Sequence, residues 1–284
     1  MAELLRGKPV ADALCAELEP RIRACADAGM VPTLAVIRVG AREDDLSYER
    51  SLLKRFNTLE LGVRLRQLPE DCSQEALMDA IHVTNEDPSV HGVLLFRPLP
   101  AHVDEQAACN ALLPEKDVDG ITAGSLYGVF AGRPVGFAPC TAGACLELLR
   151  FYDVPLDGAN VVVIGRSLVI GRPVSLMLQA ANATVTMAHT HTRDLDAITR
   201  AADVVVVAAG HVGTLGTAGV RPGQVVVDVG INWDDAAGKL VGDVSFTEVE
   251  PVVSALTPVP GGVGSVTTAV LAAHVVQAAE RTRG

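Results

Sequence analysis

The stretch VVVIGRSLVIGRP, residues 161–173, has the pattern of a buried strand that runs into a glycine turn and then a helix. Four β-branched residues precede Gly165, and Gly171 follows after five further residues. Such a turn directs backbone N–H groups and the positive end of a helix dipole at one point, which suits a phosphate. The spacing is not the G-x-G-x-x-G of dinucleotide sites, so on the glycines alone a plain turn without a ligand is equally favoured.

The residues around this turn favour NADP over NAD. Arg166 lies in the turn and can form a two-pronged ion pair with a phosphate. NAD sites usually carry an acidic residue after their second strand, about 20 residues on, that holds the ribose hydroxyls. Here the second strand TVTMA is followed by HTHT, residues 189–192, without an acid. The two histidines are equally explained as a solvated strand end, and without a third ligand they do not predict a metal site.

Apolar strands alternate with helical patterns along the whole chain, which predicts an α/β fold with parallel sheets. We predict two α/β domains with an interdomain cleft, the C-terminal one a Rossmann-like parallel sheet. Glycine and proline gather between residues 120 and 140, where the domain boundary is expected. Among the predicted elements are a strand at 33–39, a helix at 47–61 capped by Ser47, and a helix at 73–86 that starts from Ser73.

Composition excludes several classes of protein. The net charge of -11 argues against nucleic-acid binding, which needs a basic surface. The six cysteines show no C-x-x-C spacing, so we expect free thiols in a reducing, cytoplasmic environment. The N-terminal residues show no signal peptide, and no apolar run is long enough for a membrane helix.

Two later strands also end in glycine, at 203–208 and 225–229. Ligands of open α/β sheets bind beyond the carboxyl ends of the strands. Gly210, Gly230 and Ile231 are therefore candidate cofactor contacts, whereas Asp228, inside an apolar strand, is expected to be a structural carboxylate.

Five segments together resemble one family. The segments are SYERSLLKRF (47–56), FRPLP (96–100), PEKDVDG (114–120), GRSLVIGRP (165–173) and TPVPGGVGSVTTAVL (257–271). In this order they resemble the bifunctional methylenetetrahydrofolate dehydrogenase/methenyltetrahydrofolate cyclohydrolases, the FolD family. The resemblance covers essentially the whole chain and is specific only in the combination of motifs.

The resemblance implies NADP-dependent oxidation of 5,10-methylenetetrahydrofolate to the methenyl compound, then hydrolysis to 10-formyltetrahydrofolate. It also implies a homodimer and tetrahydrofolate derivatives as partners. A folate-binding catalytic domain is expected at 1–138, with the C-terminal helix 265–284 packed back onto it, and an NADP-binding domain at 139–264.

The matching positions supply the expected site residues. Lys54 matches the family's catalytic lysine. This role is chemically reasonable, because an amine withdrawn from water can exchange protons with water or a folate nitrogen. Asp119 matches the acid that accepts hydrogen bonds from the pteridine ring. Without the resemblance, Lys54 would be an ordinary exposed lysine and Asp119 a turn residue.

Tyr48 completes the catalytic candidates. The substrate-binding candidates are Tyr48, Lys54, Phe96, Asp119, Pro260, Gly261 and Gly262. The cofactor-binding candidates are Gly165, Arg166, Ser167, Leu168, Thr190, Gly210, Gly230 and Ile231.

Four positions depart from the family pattern. The family's tyrosine lies four residues before the lysine, whereas Tyr48 lies six before Lys54, which turns the two side chains roughly 120° apart on a helix. Either the helix begins irregularly, or the enzyme works without that phenol and Tyr48 belongs to the core. Phe96 replaces a glutamine and cannot hydrogen-bond the lysine, which affects the hydrolytic step most. Ala142 and Ser265 replace prolines near helix starts, with no expected effect on chemistry.

Two alternatives remain open at this point. The first is a monofunctional NADP-dependent dehydrogenase with weak or no cyclohydrolase activity. The second is a cofactor-binding sensor without turnover, against which Lys54, Asp119 and the glycine-rich segment 257–264 weigh.

Overall fold

The computed structural model describes residues 1–235 and 238–283, which divide into two compact units. Unit 1 comprises Met1–Asp12 and Thr141–Thr267, and unit 2 comprises Ala13–Cys140 and the chain from Thr268 onward. Both units interleave strands with helices, which confirms the predicted α/β class.

The bounds of the elements follow the alternation seen in the sequence. The strands are β1 (Glu3–Leu4), β2 (Thr33–Val39), β3 (Gly62–Leu68), β4 (Gly92–Leu95), β5 (Asn160–Ile164), β6 (Thr184–Ala188), β7 (Val204–Val207), β8 (Val225–Asp228), β9 (Asn232–Asp234), β10 (Lys239–Val241) and β11 (Ala255–Leu256). The α-helices are α1 (Gly7–Asp27), α2 (Glu43–Thr58), α3 (Gln74–Glu86), α4 (Glu105–Ala111), α5 (Ala123–Ala131), α6 (Cys140–Phe151), α7 (Gly171–Ala180), α8 (Leu195–Ala201), α9 (Phe246–Val249) and α10 (Thr267–Arg281). Within the described part of the chain, no helix combines the length and the apolar character needed to cross a membrane.

Unit 1 is built on a six-stranded sheet in the order β1-β11-β8-β7-β5-β6, in which every neighbouring pair is parallel. The valine-rich strands β5, β7 and β8 lie inside the sheet, and β7 is buried along its whole length. This confirms the expected parallel sheet. Its inner strands are covered on both faces, which is why they are continuous apolar runs in the sequence. Strands β9 and β10 form a separate antiparallel hairpin.

Unit 2 contains a three-stranded parallel sheet in the order β3-β2-β4. The central strand β2 has the predicted bounds, and all seven of its residues are buried. Strand β3 was not predicted from the sequence, because its exposed Arg64 and Arg66 interrupt any apolar run. An edge strand needs no second apolar face, so its pattern is weak.

Two helix starts were predicted from local sequence signals, and the structure confirms one of them. Ser73 caps α3 as predicted, its hydroxyl accepting from the Ala76 N–H at 3.1 Å. The predicted start of α2 at Ser47 is wrong, because the helix already begins at Glu43. Three acidic residues, 43–45, fill the first turn and stabilise that start through the helix dipole.

Candidate active site

The carboxyl ends of four strands lie side by side at one edge of the unit 1 sheet. Ile164 pairs with Ala188 on one side and with Val207 on the other, and Val207 pairs with Asp228. Because these strands are parallel, the loops that follow them leave the sheet at the same edge. The structure thereby brings together most of the predicted cofactor residues on these loops: Gly165, Arg166, Thr190, Gly210, Gly230 and Ile231.

The two glycines of the opening motif are needed by the turn itself. Gly165 has φ +133°, and a Cβ on it would lie 2.2 Å from the carbonyl oxygen of Ala208. A Cβ on Gly171 would lie 2.3 Å from the carbonyl oxygen of Gly165. Any larger residue would therefore force the turn away from the end of β7 or from the start of α7.

Ser167 and Arg166 have different roles in this turn. The Ser167 hydroxyl accepts from the N–H groups of Ile170 at 3.1 Å and of Gly171 at 3.4 Å, so it caps α7. Arg166 is exposed, and in the described part of the chain its guanidinium makes no hydrogen bond or ion pair. Leu168 is also exposed. The arginine therefore offers a free cation beside the helix start.

The segment after β6 folds into a compact turn. The Thr192 N–H donates to the His189 carbonyl, and the His189 N–H donates to the Thr192 hydroxyl, each at 2.8 Å. His189 Nδ1 accepts from the His191 N–H at 3.2 Å. These bonds leave Thr190 exposed at the tip.

Asp228 is the structural carboxylate that the sequence analysis expected. It is buried and accepts from the backbone N–H groups of Gly230, Asp243 and Val244, each at 3.0 Å. Burial raises the pKa of the Asp228 carboxyl to about 6, and the three hydrogen bonds oppose that shift. Asp228 thus fixes the loop that carries the predicted contacts Gly230 and Ile231.

Asp243, a second buried carboxylate at this edge, is a site residue that was not predicted from the sequence. Its Oδ2 accepts from the N–H groups of Ala209 at 2.7 Å and Gly210 at 2.8 Å, and its Oδ1 accepts from Asn232 Nδ2 at 2.9 Å. Its position after Gly242, close to an apolar strand, was the available signal. A carboxylate so placed fixes the backbone of the predicted cofactor loop at Gly210.

The turn Pro260–Gly262 is more than a connection to the last helix. The Gly7 N–H donates to the Gly261 carbonyl at 2.8 Å, and a Cβ on Gly7 would lie 2.1 Å from the Gly262 oxygen. Gly261 has φ +102°, which favours glycine. The turn is therefore locked onto the start of α1, with Pro260 and Gly261 exposed and Gly262 buried.

In unit 2, Tyr48 and Phe96 come together. Phe96 follows β4, its N–H donates to the Ile37 carbonyl at 3.0 Å, and its side chain is 8% exposed. Its ring centroid lies 5.8 Å from that of Tyr48 in an edge-on arrangement. Tyr48 also shares a helix face with the fully buried Leu52 and Phe56, as expected of a residue that borders the core.

Lys54 and Tyr48 project from different sides of α2, since six residues separate them on a continuous helix. Because α2 is continuous from Glu43 to Thr58, the alternative of an irregular start that brings Tyr48 beside Lys54 is wrong. Lys54 is exposed rather than withdrawn from water, and among the described residues no hydrogen bond or ion pair joins its amine to Asp119. The nearby Arg50 pairs with Glu43 at 3.2 Å.

The segment KDVDG, residues 116–120, combines structural residues with one candidate site residue. Lys116 Nζ donates to the carbonyls of Asn85 at 2.7 Å and Asp87 at 2.8 Å, at the end of α3. The buried Asp117 accepts from two backbone N–H groups, of Ile121 at 3.0 Å and of Thr122 at 2.8 Å. Lys116 and Asp117 therefore shape the turn that presents Asp119.

Asp119 is a half-buried carboxyl in a mixed electrostatic environment. Burial raises the pKa of Asp119 to about 6. Arg97 and a hydrogen bond from the Cys140 thiol lower this pKa, and Asp117 raises it. Asp119 can therefore gain or lose a proton close to neutral pH, and above its pKa it can accept hydrogen bonds as a carboxylate.

Comparison with known proteins places both halves of the chain in one family. Residues 5–119 match the family model for the tetrahydrofolate dehydrogenase/cyclohydrolase catalytic domain, and residues 139–283 match that for its NAD(P)-binding domain. The bifunctional protein FolD of Carboxydothermus hydrogenoformans is 47% identical, over 100% of this chain and 99% of its own. That of Clostridioides difficile is 44% identical, over 97% and 96%.

Solved structures agree with these relatives. The bifunctional enzyme FolD from Campylobacter jejuni superposes with a TM-score of 0.95 at 38% identity, covering 99% of this chain and 100% of its own. FolD from Trypanosoma brucei, solved with NADP cofactor and an inhibitor, gives a TM-score of 0.92 at 34% identity, covering 99% and 98%.

Proposed function

The chain belongs to the tetrahydrofolate dehydrogenase/cyclohydrolase family, and we propose that Lys54, Asp119 and the loops at the edge of the unit 1 sheet carry its two reactions. The first reaction is the NADP-dependent oxidation of 5,10-methylenetetrahydrofolate to the 5,10-methenyl compound. The second is the hydrolysis of that product to 10-formyltetrahydrofolate. The match of both domain models across one chain is the observation that supports these two activities.

The residues of unit 1 fit NADP. When bound, NADP supplies the hydride acceptor of the first step. Arg166, exposed and without an ion-pair partner among the described residues, would hold the ribose phosphate. A Cβ on Gly210 would meet nothing within 4 Å, so a ligand can approach the backbone there. The remaining contacts would come from Gly165, Ser167, Leu168, Thr190, Gly230 and Ile231.

The folate chemistry falls to residues of unit 2 and to the turn Pro260–Gly262. Lys54 would exchange a proton with water or a folate nitrogen, and its exposure leaves the amine accessible to both. The Asp119 carboxylate would accept hydrogen bonds from the amino and N–H groups of the pteridine ring. Tyr48 and Phe96 would contact the substrate through their paired rings.

The balance of the two rates is a separate proposal. Phe96 provides no hydrogen bond to Lys54 or to the attacking water, so we expect hydrolysis to be slow relative to oxidation. If the missing hydrogen bond abolished hydrolysis altogether, the protein would be a monofunctional dehydrogenase.

The domain roles, the assembly and the compartment complete the proposal. We assign folate binding to residues 1–138 with 265–284, and NADP binding to 139–264. Met1–Asp12 lies within unit 1, so β1 belongs physically to the sheet of the NADP-binding segment. The cysteines, all free, agree with a reducing, cytoplasmic environment.

A homodimer is supported by two edge strands that expose apolar side chains. Leu65 on β3 is 39% exposed, and Met187 on β6 is 48% exposed. Light scattering of the protein and of the separate variants Leu65→Glu and Met187→Glu tests this. A dimer that only one variant dissociates identifies the edge, and a monomeric parent protein refutes the proposal.

The reactions are tested by mixing the protein with 5,10-methylenetetrahydrofolate and either NADP or NAD. Reduced cofactor and methenyl product are followed by their separate absorbances. Reduction of NADP with some accumulation of methenyl product is expected. Equal rates with NAD would show that Arg166 does not recognise a phosphate, and absence of reduction with either cofactor would refute the assignment of the site.

A further inference from the structure

His274, on α10, binds the peptide group that precedes Asp119. Its Nδ1 lies 2.8 Å from the Val118 carbonyl oxygen. Since a carbonyl only accepts, Nδ1 carries the proton and donates it. The Cys140 thiol lies 3.2 Å from the same oxygen and 3.7 Å from His274 Nδ1. Two side chains from distant parts of the sequence thus converge on one carbonyl.

The histidine ring is held in place and kept neutral. It stacks on Phe137 with ring centroids 5.0 Å apart, and the Arg281 guanidinium covers Phe137 at 4.4 Å from the ring centroid. Burial, with a smaller contribution from Arg281, lowers the pKa of His274 to about 4, against the opposing effects of the Val118 carbonyl and Asp117. At neutral pH the ring is therefore a fixed, uncharged donor.

We propose that His274 is a positioning residue for Asp119, and that it sets the direction in which the Asp119 carboxyl meets the folate ring. The Val118 carbonyl and the Asp119 Cα belong to one planar peptide unit, so holding the oxygen restrains the Asp119 backbone. This inference rests on the proposed role of Asp119 in folate binding.

The backbone on either side of the Val118–Asp119 peptide is also restrained. On the far side of Asp119, Gly120 has φ +72°, and a Cβ there would lie 2.5 Å from the Pro139 nitrogen. Asp117 is held by the N–H groups of Ile121 and Thr122. The backbone is thus fixed after Asp119 and at Asp117, and His274, together with the Cys140 thiol, holds the carbonyl of the peptide that lies between them.

The test compares three substitutions of His274 in the full-length protein. His274→Asn places an amide N–H where Nδ1 donates, His274→Gln places it farther out, and His274→Leu removes the donor. We expect His274→Leu to raise the KM for methylenetetrahydrofolate about tenfold, because small displacements of binding groups are costly. The KM for NADP should stay constant, and His274→Asn should stay within about threefold of the parent.

Matched variants separate the outcomes. His102 also bonds a backbone carbonyl, that of Cys72 at 2.9 Å, so His102→Leu should leave the folate KM unchanged. A lower melting temperature for His274→Leu without a change in folate KM would reduce His274 to a purely structural role and overturn the inference. If that variant does not fold, equal folate KM values for the Asn and Gln variants overturn it instead.

Asp119→Asn distinguishes the two levels of the proposal. If it leaves folate binding unchanged, the role proposed for Asp119 fails, and the inference on His274 fails with it. If Asp119→Asn weakens folate binding and His274→Leu does not, only the inference on His274 fails.

Discussion

The ring of Tyr48 meets that of Phe96 edge-on, with the ring planes at 84°. Phe96, at the position where the resemblance implies a glutamine amide, is thus half of an aromatic pair. The Phe96 ring satisfies packing but supplies no acceptor for a lysine or a water. The consequence is testable at Phe96 itself.

Phe96→Gln is expected to raise hydrolysis severalfold relative to oxidation, because the amide can bond the lysine or the water. Loss of the ring contact should cost about 1 kcal/mol of stability, in addition to the lost burial of the apolar ring. The ratio of methenyl accumulation to NADP reduction measures the effect. Phe96→Leu, which lacks the amide, is the control, and an equal change of the ratio in both variants would contradict the explanation.

Lys54→Met should lower hydrolysis at least about 100-fold and slow oxidation as well, since general acid–base groups contribute on that scale. Because Lys54 is exposed, stability should change by no more than about 0.5 kcal/mol. Steady-state rates and melting temperatures measure both effects. Lys8→Met, at a surface lysine paired with Asp12, is the control. Unchanged rates in the Lys54 variant would remove it from the site.

Asp119→Asn should stabilise the protein above pH 6 and weaken folate binding. The folded-state pKa of Asp119 is raised to about 6 from 3.8, so the folded protein holds this proton more tightly than the unfolded chain. The free energy of unfolding therefore falls as pH rises from about 4 to 6. The upper bound of this fall is about 3 kcal/mol, and the actual fall is smaller because Asp119 is partly solvated.

Urea unfolding of the parent and the Asp119→Asn variant at pH 4 and pH 8 tests the sign. The variant should gain about 1 to 2 kcal/mol over the parent at pH 8 and nothing at pH 4. In the parent, folate binding should weaken as pH falls through about 6, because the carboxylate becomes protonated. A gain of stability at pH 4 would contradict the assigned pKa shift.

Asp228→Asn should have the opposite effect on stability, although burial raises the pKa of Asp228 equally, to about 6. Its two oxygens accept three backbone N–H groups, whereas an amide has one acceptor oxygen and would point an N–H at a donor. A loss of about 1 to 3 kcal/mol at pH 7 is expected in urea unfolding. A stabilised variant would show that the hydrogen bonds do not outweigh the buried charge.

Arg166→Gln should raise the KM for NADP about tenfold or more and leave that for NAD unchanged, because only NADP carries the ribose phosphate. Initial rates with both cofactors measure this selectivity. Arg150→Gln changes an arginine of unit 1 that pairs with Glu147 at 2.6 Å, and it should alter neither value. A parallel rise for both cofactors would place Arg166 against a group that NAD and NADP share.

Local signals in the sequence were sufficient for the regular parts of the fold. The strand Thr33–Val39 and the cap at Ser73 are as predicted, because burial on both faces and capping chemistry depend on adjacent residues. Helix α5 was not predicted although its signals are present. Thr122 caps it by accepting from the Ser125 N–H at 3.1 Å, and Gly132 ends it with φ +60°.

The sequence by itself determined the α/β class, the glycine turn at 165 and the family. The first two depend on residue types at short spacing, and the family depends on the order of several such motifs along the chain. Only the tertiary structure decided that Gly165 has no room for a side chain against Ala208, that Asp243 holds the loop at Gly210, and that His274 binds the Val118 carbonyl. Those contacts join residues that are 33 to 156 positions apart. They arise from strand order and helix packing, which no local periodicity encodes.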